Sequence, residues 1–390
     1  MLAAAPDAVL LIFVSTEPGC NIRLKEFGFI IALIFWKQEG NMVQKQVTVG
    51  INGFGRIGRL TARVMHQRKM LDRLKAVCDV DSAQTLAHLL KRDTVHGPMR
   101  ARTVEAVDAN IIVDGYEIPC LPAQKVPAEV AWGEERLGLV IEATGRFSDP
   151  AIATGHTANH VLITQPASVS QPDLTLVFGA NDHLLDLGNQ RVISLGSCTT
   201  NSIGMALRVL HSSFGIKSGW LETVHAYTAD QRLQDAPHSD LRRARAAAEN
   251  IVPTKTGAAS AIGDVLPELA GKLDGGATRV PVADGSLSIL ILVVGKQVTV
   301  ENVNEVLGHA AEGSPILGFS REPLVSSDVI GDPHSGIVDS LLTRVVGGNL
   351  VTVKMWYDNE WGFANRVVDF VKRAVLHVEG PERKGLVGCR

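Results

Sequence analysis

Short runs of apolar residues, rich in valine and isoleucine, recur through the first half of the chain, and each ends at a glycine or a polar residue. After the first run, apolar residues return at helical spacing at Ile57, Leu60 and Val64. The runs predict buried strands with helices between them, at residues 47–51, 74–78 and 192–195, and a further buried strand with its turn over residues 139–147. This alternation is typical of a doubly wound parallel sheet.

A glycine-rich turn, Asn-Gly-Phe-Gly-Arg-Ile-Gly at residues 52–58, follows the first predicted strand. Gly53 would permit the tight turn, Gly55 would let the backbone approach a pyrophosphate, and Gly58 would let the next helix pack closely on the sheet. The diphosphate would lie on the backbone amides around Arg56 and Ile57, at the helix N-terminus. The turn therefore predicts a dinucleotide site.

The second predicted strand ends at Asp79, about twenty residues after Gly58. A carboxylate there would accept hydrogen bonds from both hydroxyls of an adenosine ribose and would repel a 2′-phosphate. Asp79 therefore favours NAD over NADP. The alternative is that Asp79 caps a helix over residues 85–90.

A cysteine lies where the strand at 192–195 is predicted to give way to a helix. Gly196 would form the turn, and the helix is predicted over residues 199–213 with Ile203, Leu207 and Leu210 on its apolar face. Unpaired backbone amides and the helix dipole would stabilise a thiolate at Cys198, so the pKa of the thiol is predicted to fall. The alternative is a small buried hydrophobic residue. The polar neighbours favour a nucleophile: Ser197, Thr199, Thr200 and Asn201.

Length, charge and cysteine usage limit the number of domains, the kinds of partner and the compartment that the chain can have. A chain of 390 residues has room for two domains, and a net charge of -3 with both signs along the chain predicts neither a nucleic-acid nor a membrane partner. The five cysteines contain no CxxC pair and the histidines no HExxH motif, so we predict no disulfide framework, no metal and a reducing cytoplasm.

The first 41 residues do not continue this pattern. The apolar segment at residues 27–36 is about half as long as a membrane-spanning helix, and residues 8–14 lack the positive flank of a signal peptide. We therefore expect Met42 to be the true start of the protein. Membrane anchoring by the extension is a minor alternative.

The second half holds further chemistry. Residues 221–227 predict a strand with Thr223, His225 and Tyr227 on one face, and residues 229–252 predict a long arginine-rich loop. A strand is predicted at 351–357. A helix should follow, with Phe363, Val367, Phe370 and Ala374 on its apolar face.

Ser-Cys-Thr-Thr-Asn at residues 197–201 resembles the active-site signature of the phosphorylating glyceraldehyde-3-phosphate dehydrogenases. Further matches at residues 52–58, 144–147, 225–228, 253–259, 278–281 and 358–362 extend the resemblance over residues 47 to about 376. The resemblance implies a Rossmann-type doubly wound parallel sheet domain and an α+β catalytic domain with a mainly antiparallel sheet. The implied organisation is an extension at 1–46, an NAD-binding domain at 47–197, a catalytic domain at 198–358 and a C-terminal helix at 359–380 that packs on the NAD-binding domain.

The resemblance also implies a reaction and its residues. Cys198 would attack glyceraldehyde 3-phosphate and His225 would serve as the base, giving a thiohemiacetal and then a thioester that inorganic phosphate converts to 1,3-bisphosphoglycerate. The implied NAD-binding residues are Asn52, Gly53, Phe54, Gly55, Arg56, Ile57, Gly58, Asp79, Thr144, Gly145 and Asn359. The implied substrate and phosphate residues are Ser197, Thr199, Thr228, Thr256, Gly257 and Arg279. A homotetramer is implied only through the family.

Some positions depart from the family pattern: Gln165, Ser202, Ser260, Ile289 and the pair Phe363-Ala364. Phe363-Ala364 also resembles the erythrose-4-phosphate dehydrogenases, which use water as the acyl acceptor. Three alternatives therefore stay open: an erythrose-4-phosphate dehydrogenase, a cofactor-free cysteine hydrolase, and a non-catalytic NAD-binding regulatory protein.

Overall fold

The computed structural model describes residues 46–379. The expectations about the N-terminal extension, its two apolar segments and Met42 fall outside this range. Within it, no helix combines the length and apolarity that crossing a membrane requires.

A nine-stranded sheet forms the first half, in the order β3-β4-β5-β2-β1-β6-β7-β9-β8. Its strands are β1 (Val49–Asn52), β2 (Leu74–Asp79), β3 (Val104–Val107), β4 (Asn110–Val113), β5 (Tyr116–Pro122), β6 (Leu137–Glu142), β7 (Ala158–Ile163), β8 (Leu174–Thr175) and β9 (Val192–Ser194). Only the pairs β3–β4 and β4–β5 are antiparallel. The parallel strands have their carboxyl ends at one edge of the sheet, where the glycine-rich turn also lies.

An eight-stranded sheet forms the second half, with the strand order β11-β12-β10-β13-β17-β15-β14 and β16 paired to β17. Its strands are β10 (Ile216–Ala226), β11 (Val252–Thr254), β12 (Leu273–Val280), β13 (Ser286–Val294), β14 (Leu317–Ser320), β15 (Gly336–Asp339), β16 (Arg344–Val346) and β17 (Leu350–Tyr357). Most pairs are antiparallel, and β10–β12 and β14–β15 are parallel. The predicted fold class, a parallel doubly wound sheet followed by a mainly antiparallel one, is confirmed.

Seven α-helices cover the sheets in the described part of the chain: α1 (Arg56–Gln67), α2 (Ala83–Lys91), α3 (Pro150–Ala153), α4 (Cys198–Phe214), α5 (Ala258–Val265), α6 (Val300–Ala311) and α7 (Trp361–Glu379). The apolar faces of α4, α5 and α6 share a core with the second sheet. Val367, Phe370 and Ala374 of α7 lie instead in one core with Ile51 of β1 and Leu60 of α1. The last helix thus packs against the first half of the chain, while the exact domain boundaries stay predictions.

Several elements are longer than their sequence patterns. β10 begins at Ile216 rather than Leu221, because Gly219 pairs with Leu273 of β12 and Leu292 of β13 despite its polar neighbours. The strand ends at Ala226, so Tyr227 lies just beyond it and donates its backbone N–H to Val282. Residues 229–251 contain no helix or strand, as the predicted loop requires.

Candidate active site

The junction between β9 and α4 places Cys198 at the first position of the helix. Gly196 makes the turn at φ +62°, a backbone conformation that side chains disfavour. Ser197 is the N-cap, and its hydroxyl accepts a hydrogen bond of 3.0 Å from the Thr200 amide. Asn201 donates to the Leu195 and Ser197 carbonyls at 2.7 and 2.9 Å. These polar neighbours fix the turn, and the Cys198 side chain is left half-buried.

His225 on β10 meets Cys198 across the start of the helix. The Cys198 Sγ lies 3.4 Å from His225 Nε2. The other ring nitrogen, Nδ1, lies 2.7 Å from the Ala226 carbonyl, which can only accept a hydrogen bond. Nδ1 therefore carries the proton of the neutral ring, and Nε2 presents its lone pair to the thiol. A nucleophile and an oriented base are thus in contact.

The predicted fall in the pKa of the Cys198 thiol is wrong. Burial raises the pKa of Cys198 to about 11, and the Arg279 charge and the bonds to Thr199 oppose this only in part. Burial and then the Arg279 charge lower the pKa of His225 to about 3. At neutral pH both groups are therefore neutral, and the Nε2 lone pair is placed to accept the thiol proton when the sulfur attacks. The depth of burial that outweighs the dipole cannot be seen in the local sequence.

Tyr357, which the sequence analysis missed, supports this pair from the end of β17. Its hydroxyl lies 3.0 Å from Thr199 Oγ1 and 2.9 Å from Thr223 Oγ1. Its ring meets His225 edge-on, with centroids 6.0 Å apart. Burial raises the pKa of Tyr357, so its hydroxyl stays protonated. Tyr357 thereby couples α4 to β10 on either side of the contact between Cys198 and His225.

A cation is fixed directly beside His225. Arg279 of β12 stands opposite His225 in the parallel register, and its guanidinium donates to Ala226 O at 3.2 Å and to Thr228 Oγ1 at 2.9 Å. Its buried Nε has no hydrogen-bond partner among the described residues. Burial, and then the charge of Arg243, lower the pKa of Arg279. This arrangement suits an anion, which would satisfy the free donor and the desolvated charge.

The other predicted anion-binding residues are only partly brought together. Ser197 and Thr199 flank Cys198, although their hydroxyls already bond to Thr200 and Tyr357. Thr256 Oγ1 accepts a 3.2 Å bond from the Ala258 amide at the start of α5, next to Gly257. No hydrogen bond in the described part of the chain joins Thr256 or Gly257 to Cys198 or Arg279.

A separate cleft of about 200 Å³ lies at the carboxyl edge of the parallel sheet. Its lining includes five predicted cofactor residues: Asn52, Gly53, Gly55, Asp79 and Thr144. Phe54 is instead buried in the core, and Arg56 bonds to Asp93 and Glu360. Ile57 and Gly58 in the first turn of α1, and Gly145 next to Thr144, lie outside the lining.

Two glycines of the first turn allow no side chain. Gly53 has φ +91°, and a Cβ on it would lie 2.5 Å from the Thr144 amide nitrogen. A Cβ on Gly58 would lie 2.2 Å from the Gly53 carbonyl oxygen. At Gly55, by contrast, a Cβ would meet nothing within 4 Å, and α1 begins there without a side-chain cap. The turn therefore leaves free amides facing open space.

Asp79 does not cap the next helix, so that alternative is wrong. Ser82 is the N-cap of α2 and accepts from the Thr85 amide. The Asp79 carboxylate instead accepts bonds of 2.6 and 2.7 Å from the Phe54 and Val80 amides. It therefore stands at the mouth of the glycine-rich turn.

Asn359, just after β17, is tied to the strand that carries His225. Its Oδ1 accepts a 2.6 Å bond from Ser286 Oγ, which itself accepts from the Ala226 amide at 3.1 Å. Asn359 is thereby oriented through two bonds relative to His225. Ser286 was not singled out in the sequence.

Family comparisons agree with both halves of this arrangement. The model for the glyceraldehyde 3-phosphate dehydrogenase NAD binding domain matches residues 47–150, and the model for the C-terminal domain of the same enzymes matches residues 197–359. The chain belongs to the glyceraldehyde-3-phosphate dehydrogenase family. The first match contains the glycine-rich turn, and the second contains Cys198, His225 and Arg279.

Proteins that match this chain over nearly their whole length carry the name of the same family. Glyceraldehyde-3-phosphate dehydrogenase of Priestia megaterium is 48% identical over 332 residues, which are 84% of this chain and 97% of that protein. Glyceraldehyde-3-phosphate dehydrogenase 1 of Bacillus cereus is 48% identical over 326 residues, covering 82% and 96%. The Geobacillus stearothermophilus enzyme is 48% identical over 328 residues, covering 83% and 96%. The predicted family and its NAD cofactor are thus confirmed at the level of the family.

A buried ionic cluster that the sequence analysis missed lies behind Asn359. His96 Nε2 is 3.0 Å from Asp358 Oδ2 and 3.3 Å from Asp284 Oδ2, and His96 also faces Asp93. Burial lowers the pKa of His96, but its bonds with these carboxylates outweigh burial and raise it to about 11. Burial, reinforced by the Asp358 charge, raises the pKa of Asp284 to about 7. The cluster joins the loop after α2 to the turn before α7, and the absence of a metal from the protein stays a prediction.

This cluster predicts a change in pH-dependent stability on Asp284→Asn. A carboxyl whose pKa rises from 3.8 to about 7 binds more protons when folded than when unfolded, so it removes stability as the pH rises across that interval. The asparagine of the variant cannot ionise. At about pH 8 we therefore expect the variant to have the higher free energy of unfolding, by up to about 4 kcal/mol, and a higher thermal midpoint than the wild type. At about pH 5 the difference should shrink. Equal differences at both pH values would contradict the assignment.

Proposed function

We propose that this chain catalyses the NAD-dependent oxidation and phosphorylation of glyceraldehyde 3-phosphate to 1,3-bisphosphoglycerate. The observation that carries the proposal is the 3.4 Å contact between the Cys198 thiol and the His225 lone pair, with the Arg279 cation on the adjacent strand. A thiol nucleophile, a base and an anion-binding group are what an aldehyde phosphate requires for covalent oxidation.

NAD fits the cleft of the first half. The uncapped amides at the start of α1 and the open space over Gly55 would hold the pyrophosphate, and Asp79 would accept from the adenosine ribose. Asn52, Gly53, Thr144 and Gly145 would complete the site, and Asn359 would hold the nicotinamide amide. When bound, NAD supplies the acceptor for the hydride that leaves the substrate carbon.

The first step forms a bond between Cys198 Sγ and the aldehyde carbon. His225 Nε2 takes the thiol proton as the bond forms and returns it to the new oxygen, giving a thiohemiacetal. The Cys198 amide at the helix terminus would stabilise the oxygen while it carries negative charge. Because burial keeps both groups neutral, the proton moves to Nε2 as the bond to carbon forms.

In the second step His225 removes the proton of the thiohemiacetal hydroxyl, which allows the carbon to be oxidised to a thioester. The Nδ1 bond to Ala226 O keeps the ring in the orientation needed for both transfers. Tyr357 holds together helix α4, which carries Cys198, and strand β10, which carries His225.

In the third step inorganic phosphate attacks the thioester carbonyl. The bond to Sγ breaks, the thiolate takes the proton from His225, and the acyl phosphate leaves. Arg279 with Thr228 would hold the substrate phosphate, and Ser197, Thr199, Thr256 and Gly257 would hold the attacking phosphate, with Arg279 between the two.

The finer organisation of the protein is also a proposal. We infer an NAD-binding domain at 47–197, a catalytic domain at 198–358 and a helix at 359–380 that completes the first domain. A homotetramer in the cytoplasm is the assembly we expect. Sedimentation of the purified chain would test the assembly.

Three observations weigh against the alternatives. Phe363 and Ala364 are buried in the first core, so the pair that resembles erythrose-4-phosphate dehydrogenases offers no surface to a substrate. A cofactor-free hydrolase has no use for the glycine-rich turn. A regulatory protein has no use for the oriented pair of Cys198 and His225.

The test is NADH formation with glyceraldehyde 3-phosphate, run with and without phosphate and beside erythrose 4-phosphate. Fast turnover that needs phosphate supports the proposal. Preference for erythrose 4-phosphate without phosphate would overturn the substrate and keep the covalent chemistry. NAD binding without turnover of either aldehyde would favour the regulatory alternative.

A further inference from the structure

A buried hydrogen-bond network lies directly beneath the dinucleotide cleft, and its central residues were not assigned above. Glu142, at the end of β6, has only 1% of its surface exposed. Its carboxylate accepts bonds from Asn52 Nδ2 at 2.6 Å, from the Thr144 amide at 2.9 Å and from the Thr144 hydroxyl. The fourth contact is to His156 Nε2 at 3.1 Å. Four contacts make this carboxylate the hub of the cleft floor.

The proton positions follow from Trp132, which can only donate. Trp132 Nε1 lies 3.3 Å from His156 Nδ1, so Nδ1 must accept. In the neutral ring the proton is then on Nε2, which donates to Glu142. Trp132 thus fixes the tautomer of His156, and His156 donates a hydrogen bond to the Glu142 carboxylate. Both side chains are buried, at 7% and 1% exposure.

The hub also determines which atoms the cleft presents. Because Asn52 gives its Nδ2 to Glu142, its Oδ1 is the atom left for the cleft, and no donor in the described part of the chain bonds to it. Because Thr144 gives its hydroxyl proton to Glu142, its oxygen can only accept, as it does from the Arg146 amide at 3.0 Å. These two side chains therefore present acceptors to the cleft. Acceptors suit the hydroxyl groups of a ligand, whereas phosphate needs the donors of the turn above.

We propose that Glu142, supported by His156, is a positioning residue that orients Asn52 and Thr144 as acceptors for the hydroxyl groups of the bound dinucleotide. The inference rests on the proposed function, because it concerns the same NAD cleft. Exchange of Glu142 for glutamine replaces an acceptor by a donor. With the glutamine nitrogen in place of Oε2, Asn52 rotates its amide and turns Nδ2 toward the cleft. With the nitrogen in place of Oε1, it faces the Thr144 amide, so either orientation disturbs one of the two positioned side chains.

The test compares NAD affinity, measured by calorimetry, among wild type, Glu142→Gln, His156→Ala and the matched control His160→Ala. His160 lies on the neighbouring strand β7 and bonds only to the Gln190 carbonyl, so it probes the loss of a half-buried histidine outside the network. We expect the Kd for NAD to rise about tenfold in Glu142→Gln and about threefold in His156→Ala, with less than about a twofold change in the control. The KM for NAD should rise in parallel, with kcat at saturating NAD and the KM for phosphate unchanged.

A double variant separates positioning from mere support of the fold. If Glu142 acts through Asn52, then Glu142→Gln should add little to the loss of NAD affinity already caused by Asn52→Ala. Full additivity would overturn the inference, as would unchanged NAD affinity in Glu142→Gln or an equal rise in KM for NAD and for phosphate. If Glu142→Gln does not fold, the comparison of His156→Ala with His160→Ala decides by the same criteria. A wild type that binds no NAD would instead defeat the proposed function, and this inference with it.

Discussion

Replacing Cys198 with serine is expected to lower kcat for glyceraldehyde 3-phosphate oxidation at least about ten-thousandfold. The serine hydroxyl occupies nearly the same volume, but it is a far weaker nucleophile and gives an ester where the mechanism needs a thioester. NAD binding should be unchanged, because the cleft that holds Asn52 and Asp79 does not include Cys198. Steady-state NADH formation and calorimetric NAD titration measure the two effects separately.

The matched control is Cys120→Ser. Cys120 lies on β5, and burial raises the pKa of its thiol to about 11, the value that Cys198 also has. Cys120 has no histidine partner in the described part of the chain, so its exchange should leave kcat within about twofold. Substantial activity in Cys198→Ser would remove Cys198 from the mechanism.

The second large effect is expected from His225→Asn, which should lower kcat by about a hundred to ten-thousandfold. Without the acceptor at Nε2, the thiol must ionise alone in a site where burial raises its pKa to about 11. Alkylation of Cys198 by iodoacetamide should then be slow near neutrality and rise about tenfold per pH unit up to about pH 9. In the wild type, His225 Nε2 can take the thiol proton as the sulfur attacks the reagent, which should keep alkylation fast at neutral pH.

The three cysteines within residues 46–379 provide an internal control in the same experiment. Burial raises the pKa of Cys78, Cys120 and Cys198 alike to about 11. Peptide mapping should find wild-type label mainly on Cys198, and His225→Asn should abolish this preference. Persistent selective labelling of Cys198 in the variant would show that His225 is not the group that activates it.

The sequence was informative where one local pattern determines the structure. The apolar run, glycine and polar cluster around Cys198 predicted the strand-to-helix junction. The structure differs by ending β9 at Ser194 and by extending α4 from Cys198 to Phe214. The glycine-rich turn was equally local: the backbone of Gly53 and the close approach at Gly58 leave no room for other residues. The start of β10 was missed because long-range pairing, not the local pattern, holds Gly219 in the strand.

What the sequence could not predict depends on contacts between distant segments. Tyr357 is separated from His225 by more than a hundred residues, and its place at the end of an apolar strand is typical of an ordinary core tyrosine. Glu142 and His156 also look unremarkable in sequence, since Glu142 ends one apolar strand and His156 comes just before the next. The rise in the pKa of Cys198 has the same origin, because desolvation is set by the whole fold around the thiol.

The most direct test of the account is to mix the enzyme with glyceraldehyde 3-phosphate and NAD in the absence of phosphate, quench the reaction and map the modified peptide by mass spectrometry. The account predicts about one NADH per active site in a rapid burst, with the acyl group as a thioester on Cys198. Addition of phosphate should release the acyl group and start steady turnover. NADH formation without acylation of Cys198, or acylation of another residue, would contradict the account.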